Sequence, residues 1–149
     1  MILSQQSILE EKPIYNMVDR NKYCGVSYGV SSAGYDVRIA QDVLLWPGRF
    51  VLASTIEKFC MPDDLIGIVH DKSTWARRGV AVQNTVIEPG WSGYLTLELT
   101  MHAFKFLRIK QGVGIAQIIF HKLDKPTTSP YNGKYQNQAN RPVNAILES

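Results

Sequence analysis

An all-β sandwich or barrel is the fold class this sequence predicts, on three observations. Short apolar or alternating runs recur at a spacing of roughly 8–12 residues, the rhythm of antiparallel sandwiches and barrels. Gly, Pro and Asp clusters punctuate these runs where turns are needed. No stretch holds a helical period beyond about ten residues. At 149 residues and 45% apolar, the chain can close one substantial core. No linker, internal repeat or low-complexity tract divides it, so residues 1–149 are read as a single domain.

The elements follow in order. Ser4 can cap a short helix to Glu11, with Ile8 and Leu9 as its apolar face and Lys12-Pro13 ending it. Strand-like residues then run from Tyr23 to Val30 around two glycines, followed by a loop at Ser31-Ser32-Ala33-Gly34. Tyr35, Val37 and Ile39 alternate with Asp36 and Arg38, the period of a half-buried strand. Val43–Trp46 leads to a Pro47-Gly48 turn, and Phe50–Thr55 resumes as a strand. Glu57–Asp64 reads as a strand end and turn. Leu65–His70 is nearly unbroken apolar sequence, as expected of a strand covered on both faces. Phe104–Ile109 reads as a strand, and Val113–Leu123 as a long strand carrying Gln117. From Asp124 the chain turns rich in Pro, Thr, Ser, Asn and Gln. Such a tail can fray; equally, Tyr131, Lys134 and Gln138 offer a ring, a cation and an amide suited to closing over a nucleotide.

Several function classes are disfavoured. A net charge of +3 with interspersed signs suits a phosphate-bearing small ligand and falls short of a nucleic-acid footprint. Cys24 and Cys60 form no C-x-x-C motif. His70, His102 and His121 match neither H-x-E nor H-E-x-x-H, so a zinc deaminase is not indicated. There is no Walker glycine loop, and Ser73 sits in no G-x-S-x-G elbow. Met1–Gln6 lacks the pattern of a signal peptide, and no apolar run reaches the roughly 18 residues of a membrane span. A cytoplasmic protein is expected.

What remains is a polar cluster between Asp71 and Thr100. Alternation in Leu95-Thr96-Leu97-Glu98-Leu99 sets Glu98 on the face opposite Leu97 and Leu99. Ser73 and Arg77 flank Trp75, and Glu88 opens a Glu-Pro-Gly turn. Alone, this cluster supports binding a polar ligand.

The motifs S-T-W-A-R (73–77), I-E-P-G-W-S-G (87–93), T-L-E-L (96–99), G-x-x-I-A-Q (112–117) and Y-N-G-K-Y-Q-N-Q (131–138) together resemble the dCTP deaminases of the dCTP deaminase/dUTPase superfamily. The resemblance spans Gly34–Gln138, and the opening M-I-L-S matches too. It implies a distorted β jelly roll, a homotrimer with active sites between subunits, and hydrolysis of dCTP to dUTP and ammonia. It implies Mg²⁺ accompanying the triphosphate and no zinc. By motif, Glu98 is the catalytic carboxylate, with Ser73 and Arg77 (from a neighbouring subunit) holding water and base. Lys72, Ser73 and Thr74 fall at phosphate positions, and Glu88 at a deoxyribose position. Thr96, Leu97 and Glu98 border the base, and Gln117, Tyr131, Lys134 and Gln138 complete the nucleotide contacts. The tail 124–149 becomes an arm closing over the nucleotide. Three departures bear on base selectivity: the family has Asp where Glu88 stands, the Arg77–Glu88 interval is two residues shorter, which implies a tightened hairpin at Val82–Val86, and Tyr131–Lys134 is shortened.

The related dUTPases share S-A-G-Y-D (32–36), the serine motif and G-x-x-I-A-Q. In them a carboxylate at the Glu88 position activates water against the α-phosphate, and the closing arm is glycine-rich. G-K-Y-Q-N-Q here favours the deaminase. A dUTPase, a bifunctional enzyme and a non-catalytic nucleotide-binding protein are the other readings.

Overall fold

The computed structural model describes all residues, Met1–Ser149. One helix, α1 (Gln5–Glu11), precedes the strands, and Ser4 caps it by accepting from Ser7 N–H at 3.5 Å. Ile8 carries its buried face. The strands are β1 (Asn21–Tyr23), β2 (Val26–Ser31), β3 (Gly34–Arg38), β4 (Val43–Leu45), β5 (Phe50–Cys60), β6 (Leu65–Asp71), β7 (Val80–Val82), β8 (Val86–Ile87), β9 (Ser92–Met101), β10 (Leu107–Ile109) and β11 (Gly114–Lys122). A single turn of helix, α2 (Ser73–Ala76), follows β6. The all-β expectation therefore holds.

Two main sheets enclose the core. One is six-stranded, in the order β1-β2-β3-β11-β6-β8; the other is three-stranded, β5-β9-β7, and β10 pairs with β4 separately. Tyr35, Phe59, Leu97, Leu99 and Phe120 are fully buried between them. Burying each such side chain contributes about 1.5–3 kcal/mol relative to leaving it in water. Asp71 ties the sheets together: its carboxylate accepts Val82 N–H at 2.7 Å.

The sequence and structure differ in instructive places. Ser31 and Gly34 belong to strands and pair with each other, so the expected loop contracts to Ser32-Ala33. Cys24 and Gly25 both take positive φ (49° and 76°), which splits the Tyr23–Val30 run into a β1–β2 hairpin. Val82–Val86 is not a hairpin, because β7 pairs with β9 while β8 pairs with β6. That segment crosses between sheets. Along β6 the burial alternates, with Leu65, Gly67 and Val69 buried and Ile66, Ile68 and His70 partly exposed, so one face lies open in the protomer. The Phe104–Ile109 strand shortens to β10, leaving Phe104 98% exposed. No helix is long and apolar enough to cross a membrane.

The tail beyond β11 adds no strand. It nevertheless follows the β9 end of the small sheet. Trp91 Nε1 donates to Tyr135 O at 2.7 Å, and Tyr94 N–H donates to Gln138 O at 3.0 Å. The Gln136 amide donates to Gly90 O and Tyr131 O and accepts from Ser92 N–H. One side chain thus staples the tail to the turn before β9.

Candidate active site

β9 positions the central group. It is held on both sides, by β5 through Leu52↔Glu98 and by β7 through Val82↔Leu99. Strand alternation buries Leu97 and Leu99 completely in the core and turns Glu98 the other way, as its sequence pattern predicts. Glu98 enters a cavity of about 580 Å³. Its Oε2 is buried and has no hydrogen-bond partner. Burial pushes the carboxyl above the ordinary glutamate range, and no positive group within the chain pulls it back.

The cavity walls come from several places, among them Phe50 and Leu52 of β5. β9 supplies Leu95, Thr96 and Glu98; the sheet-crossing segment supplies Thr85 and Val86; the tail supplies Tyr131, Tyr135, Gln138 and Val143. Glu88 and Trp91 also line it, from the Glu-Pro-Gly-Trp turn. Gly90 and Gly93 take positive φ there (79° and 151°). A Cβ on Gly93 would meet Gln138 N at 2.7 Å, so this glycine permits the close approach of the tail. Thr96 Oγ1 accepts from both Gln138 Nε2 at 2.5 Å and Val143 N–H at 3.1 Å. These two bonds hold the tail across the cavity.

Glu98, Glu88, Thr96, Tyr131 and Gln138 therefore meet at one cavity, drawn from three separate motifs. Leu97, expected beside the base, is not part of the cavity wall: its side chain is fully buried on the core side. The other residues singled out in the sequence lie elsewhere in the protomer. Ser73 and Arg77 sit on α2 and its C-cap, exposed and outside the cavity wall. Lys72 is buried, and its ammonium donates to Asp36 at 2.6 Å and Ser27 at 2.9 Å. It is committed to an internal ion pair. Gln117, on β11, donates to Ser31 at 3.3 Å, and Lys134 lies over the Tyr135 ring at 5.4 Å. Thr74 lines a separate polar cleft with Ser27.

Trp91, Tyr135 and Val143 belong to the site but were not singled out from the sequence. Trp91 was visible as the aromatic following the turn glycine; Val143 carried no local signal. No group of three or more His, Cys, Asp or Glu side chains gathers to hold a metal ion.

The arrangement gives a carboxyl of raised proton affinity, partly desolvated, in a pocket able to take a ring. Comparison with known proteins agrees. The dCTP deaminase-like family matches residues 20–123. The dCTP deaminase of Campylobacter concisus is 35% identical over 155 residues, covering 83% of each chain. That of Campylobacter jejuni strain RM1221 is 35% identical over 173 residues, covering 94% of this chain and 93% of its own. Among solved structures, a mutant dUTPase from phage phi11 of S. aureus aligns with a TM-score of 0.59 at 16% identity, over 80% of this chain and 92% of its own. The native EIAV dUTPase aligns equally well, TM-score 0.59 at 18% identity, over 80% and 95%. The dUTPases share the fold, and the sequence relatives settle the lineage: this chain belongs to the dCTP deaminase-like family.

Proposed function

We propose that the protein hydrolyses dCTP to dUTP and ammonia, with Glu98 carrying protons between water, ring and leaving group. The observation that supports this is the buried, unpartnered Oε2 of Glu98 at the wall of a ring-sized cavity. Water attacks C4 of the cytosine, its oxygen bonding to carbon as Glu98 accepts one of its protons and passes it to N3. The remaining hydroxyl proton then travels through Glu98 to the amino group. The C4–N bond breaks, ammonia leaves, and a carbonyl forms at C4. One carboxyl serves both transfers when its proton affinity lies near neutrality, the direction burial drives it.

The remaining contacts are shared. Gln138 and the Thr96 backbone sit where they can read the ring edge, and Tyr131 where it can cover the sugar or base. Ser73, Thr74 and Arg77 lie on an exposed turn outside the Glu98 cavity of their own protomer. In a homotrimer they would reach a neighbour's Glu98 cavity, holding the water and phosphates there, with Lys72 contributing through backbone. In the same assembly Gln117 and Lys134 would stand at the edges of the intersubunit site. A divalent ion such as Mg²⁺ would neutralise the triphosphate charge; lacking a carboxylate cage, the chain leaves its coordination mainly to the phosphate oxygens. EDTA is expected to slow turnover, Mg²⁺ to restore it, and Zn²⁺ alone not to; rescue by Zn²⁺ would require a metal-bound water.

Glu88 lining the same cavity favours one second reading, water activation against the α-phosphate as in a dUTPase. A single assay separates the readings. The enzyme is incubated with dCTP and with dUTP, and ammonia and pyrophosphate are scored independently. Ammonia from dCTP without pyrophosphate from dUTP is the expected result. Pyrophosphate alone establishes the dUTPase, both products a bifunctional enzyme, and binding without product a nucleotide-binding protein.

A further inference from the structure

We propose that the Glu98 cavity takes cytosine nucleotides carrying a methyl group at ring carbon C5, and binds them more tightly than the unsubstituted base. This rests on the reading of Glu98 as the proton carrier at C4, and names the substrate class of that site. Leu52 and Phe50 of β5 carry the inference. Strand register sets Ser54 opposite Thr96, Leu52 opposite Glu98 and Phe50 opposite Thr100. Opposed residues on one sheet face have Cβ atoms about 4.5–5.5 Å apart, so the carboxyl has a leucine as its cross-strand partner. The site is therefore polar in one direction and apolar in the other. About 7 Å along β9 from Glu98 stands Thr96, joined through its hydroxyl to the Gln138 amide. Toward Thr100 stand Leu52 and Phe50, which line the cavity and offer no hydrogen-bonding side chain. On the other flank of β9, Gln83 N–H donates to Glu98 O at 3.0 Å, and the crossover brings Val86 into the wall three residues later. Phe50 and Val86 remain 56% and 46% exposed, so the chain leaves apolar surface of this wall uncovered.

A cytosine ring with C4 at Glu98 presents N3 and O2 in one direction and C5 and C6 in the other. Turning N3 and O2 toward Leu52 and Phe50 would bury two acceptors without partners. Turning them toward Thr96 supplies donors, because Thr96 Oγ1 accepts from Gln138 and Val143 and keeps its own proton to give, and the Gln138 NH₂ has a second hydrogen. The C5 edge then faces Leu52 and Phe50. A hydrogen at C5 leaves that apolar wall wet, whereas a methyl group covers it. Burying one such carbon favours binding roughly fourfold. The chemistry at C4 is unaltered: the water oxygen bonds to C4, the C4–N bond breaks and ammonia leaves. The C5 methyl stays in place, so 5-methyl-dCTP yields the thymine nucleotide.

Calorimetric titration of the intact protein with dCTP and with 5-methyl-dCTP tests the preference independently of turnover. The methylated nucleotide should bind roughly fourfold tighter or more. Leu52→Ser puts a hydroxyl in the apolar wall and should bring that ratio to one or below. Phe50→Ser, at an exposed side chain, makes the same test should Leu52→Ser lower the melting temperature. Equal or weaker binding of 5-methyl-dCTP by the parent, an unchanged ratio in both variants, or no binding of either nucleotide overturns the proposal. 5-Hydroxymethyl-dCTP should bind less tightly than the methyl compound, since Leu52 and Phe50 give its hydroxyl no partner; tighter binding overturns the apolar assignment. Ammonia release separates this proposal from the deamination reading. Release from both nucleotides, with kcat/KM roughly fourfold or more in favour of the methylated one, supports both. Release from neither, with the binding preference intact, defeats the deamination and leaves the C5 preference standing. Release from dCTP alone overturns the substrate class and leaves the deamination standing.

Discussion

Glu98 keeps one carboxyl oxygen that nothing in its own chain satisfies, on a strand whose neighbouring side chains are fully buried. Leaving a buried polar atom unpartnered costs roughly 1–3 kcal/mol, a penalty that folding alone gives no reason to retain. Two outcomes follow for Glu98→Gln. Ammonia release should fall by roughly 10²–10⁴-fold while dCTP binding survives, because the amide preserves shape but cannot move protons. Near-normal turnover would remove Glu98 from its role. The second outcome concerns pH. Burial raises the folded carboxyl's pKa, so the native state binds more protons than the unfolded state above the ordinary glutamate range. The carboxyl's contribution to stability is therefore present at low pH and lost as pH rises through its folded pKa. The amide does not titrate. Glu98→Gln should melt above the parent at neutral and alkaline pH, with the gap closing under acid conditions; a gap that widens on acidification would show a carboxylate stabilised by its surroundings.

At the level of elements, the site depends on the tail lying against β9. Gly93 enables this, with a φ of 151° and Gln138 N only 2.7 Å from where a Cβ would stand. Gly93→Ala should cost about 1–3 kcal/mol and lift the Gln138 segment from Thr96. Limited proteolysis should then cut beyond Pro130 faster than in the parent, and KM for dCTP should rise more than kcat falls. Unchanged cleavage would mean the tail is held elsewhere. The strands that matter here were legible because period-2 alternation in Leu95–Leu99 leaves no other face for Glu98. The α1 cap was legible for a similar reason, a local hydrogen bond written in Ser4. Other features needed long-range information. Val82–Val86 looks like a hairpin until β6 and β9 compete for its two ends, and the α2 turn is too short to show a period. Val143 lines the cavity and donates to Thr96 across a sequence separation of 47.

Across the whole molecule, the motifs fall into two groups that a single protomer does not bring together. Glu98, Glu88, Thr96, Tyr131 and Gln138 share a cavity, whereas Ser73 and Arg77 stand exposed on α2 outside it. The 26-residue spacing from Ser73 to Glu98 gave no hint of this division, because sequence proximity says nothing about which part of the fold a side chain reaches. The half-open face of β6 next to α2 is the kind of surface a second copy would cover. If each site joins one protomer's Glu98 to the next protomer's Arg77, two inactive variants can complement each other. Glu98→Gln and Arg77→Ala should each be nearly inactive alone. Co-expressed in equal amounts and assembled at random, they place an intact Glu98 beside an intact Arg77 at about one site in four. The mixed enzyme should therefore recover about a quarter of wild-type ammonia release, and mixing without subunit exchange should recover none. Two inactive variants that stay inactive in verified mixed oligomers would show that Arg77 acts within its own chain, or does not act on the reacting ring at all.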